Sequence, residues 1–374
     1  MRRQPKVAAD ERGMMLIMAG LGLVAFMSAT MLALDVGMFM AARSQAQNAA
    51  DAGALAGATT LYYNDWNNRS PSGPAVQNAI AAATHSANHV MSTNVSVYAS
   101  DVTFPTPERV QVTVHRTGAR DNPLLPFIAP MFGIDTVDLG ATAIAEASPA
   151  NAMTCVKPFT IPDKWDERQS PPWDPSDTFD VVDNQKNPLA VPDVYTPRGP
   201  GYTGYSALDF GTTVVIKGAN GNNIYPSIYF PYSMAGVTGA AAYEWNIENC
   251  NTTMMEWDQR LLAEPGNMSG PTRAGVLDLI AQDPGAYWDG TRVVSTKSPS
   301  PRVAPIPVFD PQFYDVGKQN GRYADFKVAN YIGIFIKRMV GNDVEAIIVP
   351  VGGVLKGGAA PVANAVPKAI VLVQ

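Results

Sequence analysis

Residues 12–61 read RGMMLIMAGLGLVAFMSATMLALDVGMFMAARSQAQNAADAGALAGATTL, and the rest of the chain is arranged around them. Residues 13–34 are apolar or small and carry no charge, which is about the 20 residues a helix needs to cross a bilayer. A secretory signal has a shorter apolar core, about 7 to 15 residues, with a cleavage site close behind it. Here the helical pattern continues past Asp35, because Ala41, Ala42, Gln45, Ala46, Gln47, Ala49, Ala50, Ala54, Leu55 and Ala58 are mostly strong helix formers and no proline intervenes before Pro71. The sequence therefore predicts an uncleaved anchor at the start of one rod roughly 70 Å long, half in lipid and half out. Arg2, Arg3, Lys6 and Arg12 precede the span and only Arg43 follows closely, so the N-terminus is expected in the cytoplasm and the body outside it.

Small residues recur every four positions along the rod at Ala25, Ala29, Ala33, Gly37 and Ala41, a spacing that lets a second helix backbone come close. Alanine and glycine are also simply frequent in spans, so the ridge reads either as a helix-packing face or as ordinary span composition. Asp35 falls where the rod leaves the hydrocarbon. A carboxylate there is either solvated among the headgroups or bonded to a neighbouring helix.

The order of these features carries a resemblance. Arg12-Gly13, the apolar run, Leu34-Asp35-Val36-Gly37 and the string ARSQAQNAADAGALA over residues 42–56, with Gln47 and Asp51 inside it, resembles the N-terminal segment of TadE/TadG-like proteins of Flp (Tad) pilus assembly. The likeness is tight over about the first sixty residues. It implies a bacterial inner-membrane protein with one span and a periplasmic body, serving a pilus-building machine, with other pilus subunits and the membrane as partners and the N-terminal helix as the surface for homo- or hetero-oligomers. Two features depart from relatives. Pilins of that system are cut after a glycine with a glutamate five residues on, and Met18 stands at that place after Gly13. Some longer TadG proteins carry a von Willebrand A domain with a metal loop of the form Asp-x-Ser-x-Ser, and no such string occurs here.

The remainder of the chain divides by composition. The predicted organisation is a cytoplasmic N-terminus at 1–12, the transmembrane helix at 13–34, a pilin-like α+β domain at 35–147 and a β-rich periplasmic domain at 148–374. Turn formers crowd residues 64–74, after which 75–91 reads as a helix with Val76, Ile80, Ala83, Ala87 and Val90 on one stripe. Strands are expected at 94–98, 109–115 and 136–145, with a short helix within 123–132. This helix-plus-antiparallel-sheet layout is the reason for the pilin-like expectation. From residue 148 proline, tryptophan and aspartate rise, and 158–200 reads as ordered loop without regular structure. Strands are then expected at 212–217 and 227–230, a helix at 271–282, a hairpin from 326–337 and 344–349, and a terminal strand at 369–373 that completes the second sheet, the alternative being an edge offered to another subunit.

With 27 basic against 33 acidic residues, a net charge of -6 and no basic patch, nucleic acid is an unsuitable partner. Cys155 and Cys250 are the two cysteines, read either as one disulfide or as two buried thiols. His85 and His89 sit four apart on the polar face of their helix, but they make half a metal site at most and are expected in solvent. Asp174, Asp177, Asp180 and Asp183 lack EF-hand spacing and read as a solvated acidic loop. Gly204-Tyr205-Ser206-Ala207-Leu208 lacks the second glycine of a nucleophile elbow, and carboxylate pairs such as Asp163 with Asp166 or Asp278 with Asp283 read as surface groups. Neither cofactor nor metal nor catalytic residue is therefore expected. The chain reads as a non-enzymatic, TadG-like structural component of a Tad pilus system. The alternative is a membrane-tethered module that recognises envelope polysaccharide or a host ligand.

Overall fold

A computed structural model of the chain describes residues 11–63, 70–90, 97–183, 185–218, 223–234, 238–319 and 325–373. The basic N-terminal residues Arg2, Arg3 and Lys6, most of the turn cluster at 64–74, most of the strand expected at 94–98 and most of residues 218–223, which read as a turn between two expected strands, lie outside the described residues. Contacts divide the chain into two units, one drawn from 1–57, 80–145 and 372–374, the other from 58–79 and 146–371.

In the first unit a single helix, α1 (Glu11–Tyr63), runs for 53 residues without a break. Its character changes along its length. Met14, Leu16, Phe26 and Leu32 are exposed, as is every neighbour from Gly13 to Met27, whereas Ala46, Ala49, Ala50 and Ala54 have no exposed surface. Among the described residues this is the one helix long and apolar enough to cross a membrane. A second helix, α2 (Pro74–Val90), opens on a proline at its first position, where the missing N–H is no loss. Ala83 and Ala87 of α2 meet α1 at Gly53, where an added Cβ would stand 3.0 Å from the Ala83 carbonyl oxygen and 3.2 Å from Val112. The alanine-rich string is thus a packing surface, small because two helices and a strand meet there. His85 and His89 lie on the outer face of α2, both exposed, with their rings stacked 6.4 Å apart.

The sheet of this unit holds β1 (Val102–Thr106), β2 (Arg109–Arg116) and β3 (Leu139–Pro149) in that order. Val110, Val112 and Val114 point inward with no exposure, as the period of two predicts. Residues 97 and 98 are not strand. The first strand is β1 instead, whose Pro105 and threonines hide the pattern. The expected short helix is a 3₁₀ turn over Ala129–Phe132. Residues from Leu372 return to this unit, where the Val373 N–H donates to the Ile144 carbonyl at 2.9 Å. The terminal strand therefore ends on the first sheet and not, as expected, the second.

The second unit is built on a barrel. Its strands are β4 (Phe159–Pro162), β5 (Thr213–Gly218), β6 (Ile228–Ser233), β7 (Arg260–Ala263), β8 (Val303–Phe309), β9 (Phe326–Val340) and β10 (Asp343–Val349). The order β8-β4-β6-β5-β10-β9 closes because β9 also pairs with β8, giving a six-stranded barrel that removes free edges. The pairs β8–β4 and β5–β6 are parallel and the other neighbours in the ring antiparallel. Short β7 pairs with both β9 and β6. The hairpin β9–β10 turns at Gly341, whose φ of 65° favours glycine.

Several elements of this unit were not legible in the sequence, short β7 among them. β4 lies inside the segment read as loop. It is buried along its whole length, so its pattern is continuous and not alternating. β8 contains Pro305 and Pro307, residues that argue against a central strand. Both prolines turn their missing donors toward β4, where their carbonyls still accept from the Lys157 N–H and the Thr160 hydroxyl, and the ladder to β9 keeps its donors at Ala304, Ile306 and Val308. Helices α3 (Ala240–Glu248) and α5 (Pro311–Gln319) were also missed, whereas α4 (Ser269–Gln282) falls where expected. Gly275 of α4 lets α3 approach, since a Cβ there would stand 2.9 Å from that of Ile247.

Candidate functional site

The best-formed arrangement of functional residues in the first unit lies where α1 leaves its apolar half. Asp35 is 2% exposed, with exposed neighbours on either side at Leu34 and Val36. Its carboxylate accepts from the Phe127 N–H at 2.6 Å and the Ile128 N–H at 2.9 Å. These donors open the 3₁₀ turn at Ala129–Phe132, whose first N–H groups have no partner within the turn. The carboxylate is thus taken up within its own chain, a partner that neither sequence reading included. It caps a loop of its own chain from 92 residues away.

That loop, the excursion between β2 and β3, is closed at its base. Leu124 and Val137 exchange both backbone hydrogen bonds, at 3.0 and 2.9 Å. The Gly118 N–H donates to Asp138, and the Thr117 N–H to the side chain of Asn122, each at 2.9 Å. Arg120 reaches Asp101 at 2.6 Å while its guanidinium lies 4.6 Å from the ring centre of Tyr98. Gly133, at φ 80°, ends the turn in a conformation that glycine adopts without strain.

The other residues of the N-terminal motif have separate places. Gln47 donates to Asp51 at 2.8 Å on the same helix and to the Thr142 carbonyl of β3 at 3.4 Å, so this pair ties the rod to the sheet. Ala25, Ala29, Ala33, Gly37 and Ala41 are all exposed, and a Cβ on Gly37 would meet nothing within 4 Å. Gly13, at the start of the apolar run, is exposed too, and Arg12 is helical.

In the second unit, Cys155 and Cys250 are joined as a disulfide. Beside Cys155 opens a cavity of about 670 Å³ lined among others by Tyr63, Trp288, Arg292, Ser295 and Lys297. Its floor is braced by Asp283, which accepts from the Ser295 and Ser300 hydroxyls at 2.6 Å each; these bonds hold its carboxyl below the usual range. Arg302 is buried and gives its donors to four carbonyls, those of Ile336, Asp283, Ala286 and Lys337.

Two carboxylates read as surface groups are buried, Asp163 without any exposure and Asp283 at 3%. Asp163 accepts from the Tyr195 and Tyr202 hydroxyls at 3.0 and 2.9 Å and from the Tyr205 and Lys164 N–H groups at 2.9 and 3.0 Å. Burial pushes its carboxyl up to about 6 against the opposing pull of those donors. Gly204 has to be glycine here, because a Cβ would collide with Asp163 and Tyr202. Asp163 is a structural hub, since all its acceptor positions are taken by the chain itself. Ser206 likewise caps the 3₁₀ turn Ala207–Asp209, accepting from the Leu208 N–H. Asp174, Asp177, Asp180 and Asp183 accept from nearby backbone and hydroxyl groups of their own loop. Among the described residues Glu244, Glu248 and Asp278 on α3 and α4 bring a carboxylate oxygen each within 4.8 Å of the others, and Glu248 is pushed up by burial and by its hydrogen bond to Asp278.

Sequence reasoning singled out Asp35 but not its partners, because nothing near residue 35 specifies residues 127 and 128. The only available signal was the long uncharged run at 122–134. No curated protein and no solved structure matches the chain. One family model does, that described as "Putative Flp pilus-assembly TadE/G-like", over residues 13–60, the length of α1 from its apolar start to its buried alanines. The N-terminal segment of this chain is therefore a TadE/G-like segment of the Flp pilus-assembly family.

Proposed function

We propose that this chain is a membrane-anchored, non-enzymatic and TadG-like component of a Flp (Tad) pilus machine. Its N-terminus would lie in the cytoplasm and its two units in the periplasm. The observation that carries the reading is the division of α1, whose exposed apolar half suits lipid while its alanine half is committed to the chain's own core. A rod of this kind tethers the chain outside the bilayer, which is a mechanical role needing no reactive group. The ridge of Ala25, Ala29, Ala33, Gly37 and Ala41 is left open to a partner helix, with pilus subunits as the partners.

The test is replacement of the gene by full-length variants. Ala29→Leu with Ala33→Leu is expected to leave the protein in the membrane after alkaline carbonate extraction but to reduce piliation. Normal piliation in that double variant, or in a strain lacking the protein, sinks the reading. Mass spectrometry of the mature protein is expected to find the residues before Gly13 intact, because Met18 replaces the glutamate of a processing site.

A second reading, a ligand-binding head, is favoured by the cavity beside Cys155, where Trp288 offers an aromatic face and Arg292 and Lys297 offer charge. It predicts that Trp288→Ala with Arg292→Ala leaves pili normal and weakens attachment to surfaces.

A further inference from the structure

We infer that the loop at residues 122–134 is a second membrane contact, a foot whose apolar tip enters the lipid interface beside the span. The inference rests on the anchor part of the reading above and adds a surface to it.

Four observations converge on lipid as the occupant. First, height: residues 13–34 form the apolar run, and Asp35 is the next residue, within about 2 Å of its end at 1.5 Å per residue. Because the Asp35 carboxylate holds Phe127 and Ile128 directly, the loop tip sits at that same level along α1. Second, side-chain direction: Leu124, Pro126 and Ile128 are buried, whereas Leu125 and Phe127 are each 67% exposed and Met131 78%. The buried set fixes the loop and the exposed set faces away from the unit. Third, continuity: Leu32, Leu34, Val36 and Met40 of α1 are exposed on either side of the Asp35 contact, so the loop's surface extends that of the span. Fourth, charge: residues 122–134 have none, while Arg116, Arg120, Asp121, Asp135 and Asp138 flank them at the base. An apolar tip with a charged collar is the pattern of a segment lying in the headgroup and acyl boundary.

An exposed apolar cluster of this size on a water-facing surface would be a liability, whereas at the bilayer edge it is solvated by lipid. The loop is also braced beforehand by the Leu124–Val137 pair and by Asp35, so insertion orders little further chain. A foot beside a single span resists tilting of the rod, which one helix alone does not.

The native cysteines are tied in a disulfide, so a thiol introduced into the full-length chain is the one that takes a spin label. Leu125→Cys, Phe127→Cys and Met131→Cys would be labelled in phosphatidylethanolamine–phosphatidylglycerol vesicles, and accessibility to oxygen compared with that to a nickel chelate. Ala25→Cys reports the span. His85→Cys is the aqueous control, since α2 meets α1 at Gly53, about 27 Å beyond Asp35 at 1.5 Å per residue. The expected result is oxygen over nickel at positions 125, 127 and 131, inverted relative to position 85. Asp35→Ala should shift position 127 toward the nickel side while position 25 stays in lipid. Loop labels that match position 85 while position 25 is in lipid overturn the foot and leave the anchor standing. A nickel-accessible label at position 25 overturns the anchor itself. A label at position 127 that is aqueous in vesicles but immobilised in native membranes overturns lipid as the occupant and assigns the loop to a protein partner.

Discussion

Asp35 interrupts an apolar helix, and the interruption is explained by two backbone N–H groups at the start of a 3₁₀ turn. Each hydrogen bond to a charged acceptor contributes more than a neutral one, and a buried donor left without an acceptor costs its desolvation. Asp35→Ala is therefore expected to destabilise the loop by roughly 2 to 4 kcal/mol, seen as faster amide exchange over residues 124–131 with the exchange of α2 unchanged. Asp163 is buried with a quite different consequence. Its folded carboxyl titrates at about 6, above the value near 3.9 of an unfolded aspartate, so the folded state holds the proton more tightly. Stability contributed by this residue is present below pH 4 and is lost as pH rises through 6. The difference in unfolding free energy between the protein and Asp163→Asn should change by on the order of 3 kcal/mol over that window and be flat above it. Proton-linked unfolding in detergent measures it directly, and an unchanged difference contradicts a raised Asp163.

At the scale of elements, α1 is one helix doing two jobs, and the change between them is made by side-chain size. Large apolar residues fill the exposed half, which is long and apolar enough to cross a membrane, while alanine and glycine fill the half that α2 and β2 approach. Gly53→Val should overpack that junction and destabilise the first unit by about 1 to 3 kcal/mol, lowering its melting temperature without changing membrane extraction. A variant that melts normally would mean that α2 retreats freely. The barrel element β8 teaches the converse lesson. Its prolines are harmless because they face the short strand, an arrangement fixed by neighbours from residues 157–163 and 326–340 and invisible in VAPIPVF itself.

On the scale of the whole molecule, two long-range closures stand out in the second unit, a disulfide and a ring of strands. The Cys155–Cys250 disulfide closes a loop with a separation of 95 residues. On the chain-entropy account such a bridge stabilises by roughly 4 to 5 kcal/mol, so Cys155→Ser with Cys250→Ser should lower the unfolding free energy of the second unit by that amount, read as a lower urea midpoint. A midpoint that does not move places the stability of this unit in its barrel alone. The closure of six strands into a ring already removes exposed edges, and Arg302 adds four carbonyl contacts that no strand ladder supplies.

Residues 12–61 by themselves determined the rod, its apolar and alanine halves and the likeness to pilus-assembly proteins, because helix formation and hydrophobic length are local properties. The hairpin at Gly341 and the valine face of β2 were legible for the same reason, each being set by neighbours one or two residues away. Tertiary structure alone decided that Asp35 caps Phe127 and Ile128, that Asp163 lies among tyrosines, that the last residues return to the first sheet and that six strands close a barrel. Those outcomes depend on which segments, tens to hundreds of residues apart, come within hydrogen-bonding distance, and a carboxylate's spacing in sequence carries no record of the donors it will meet.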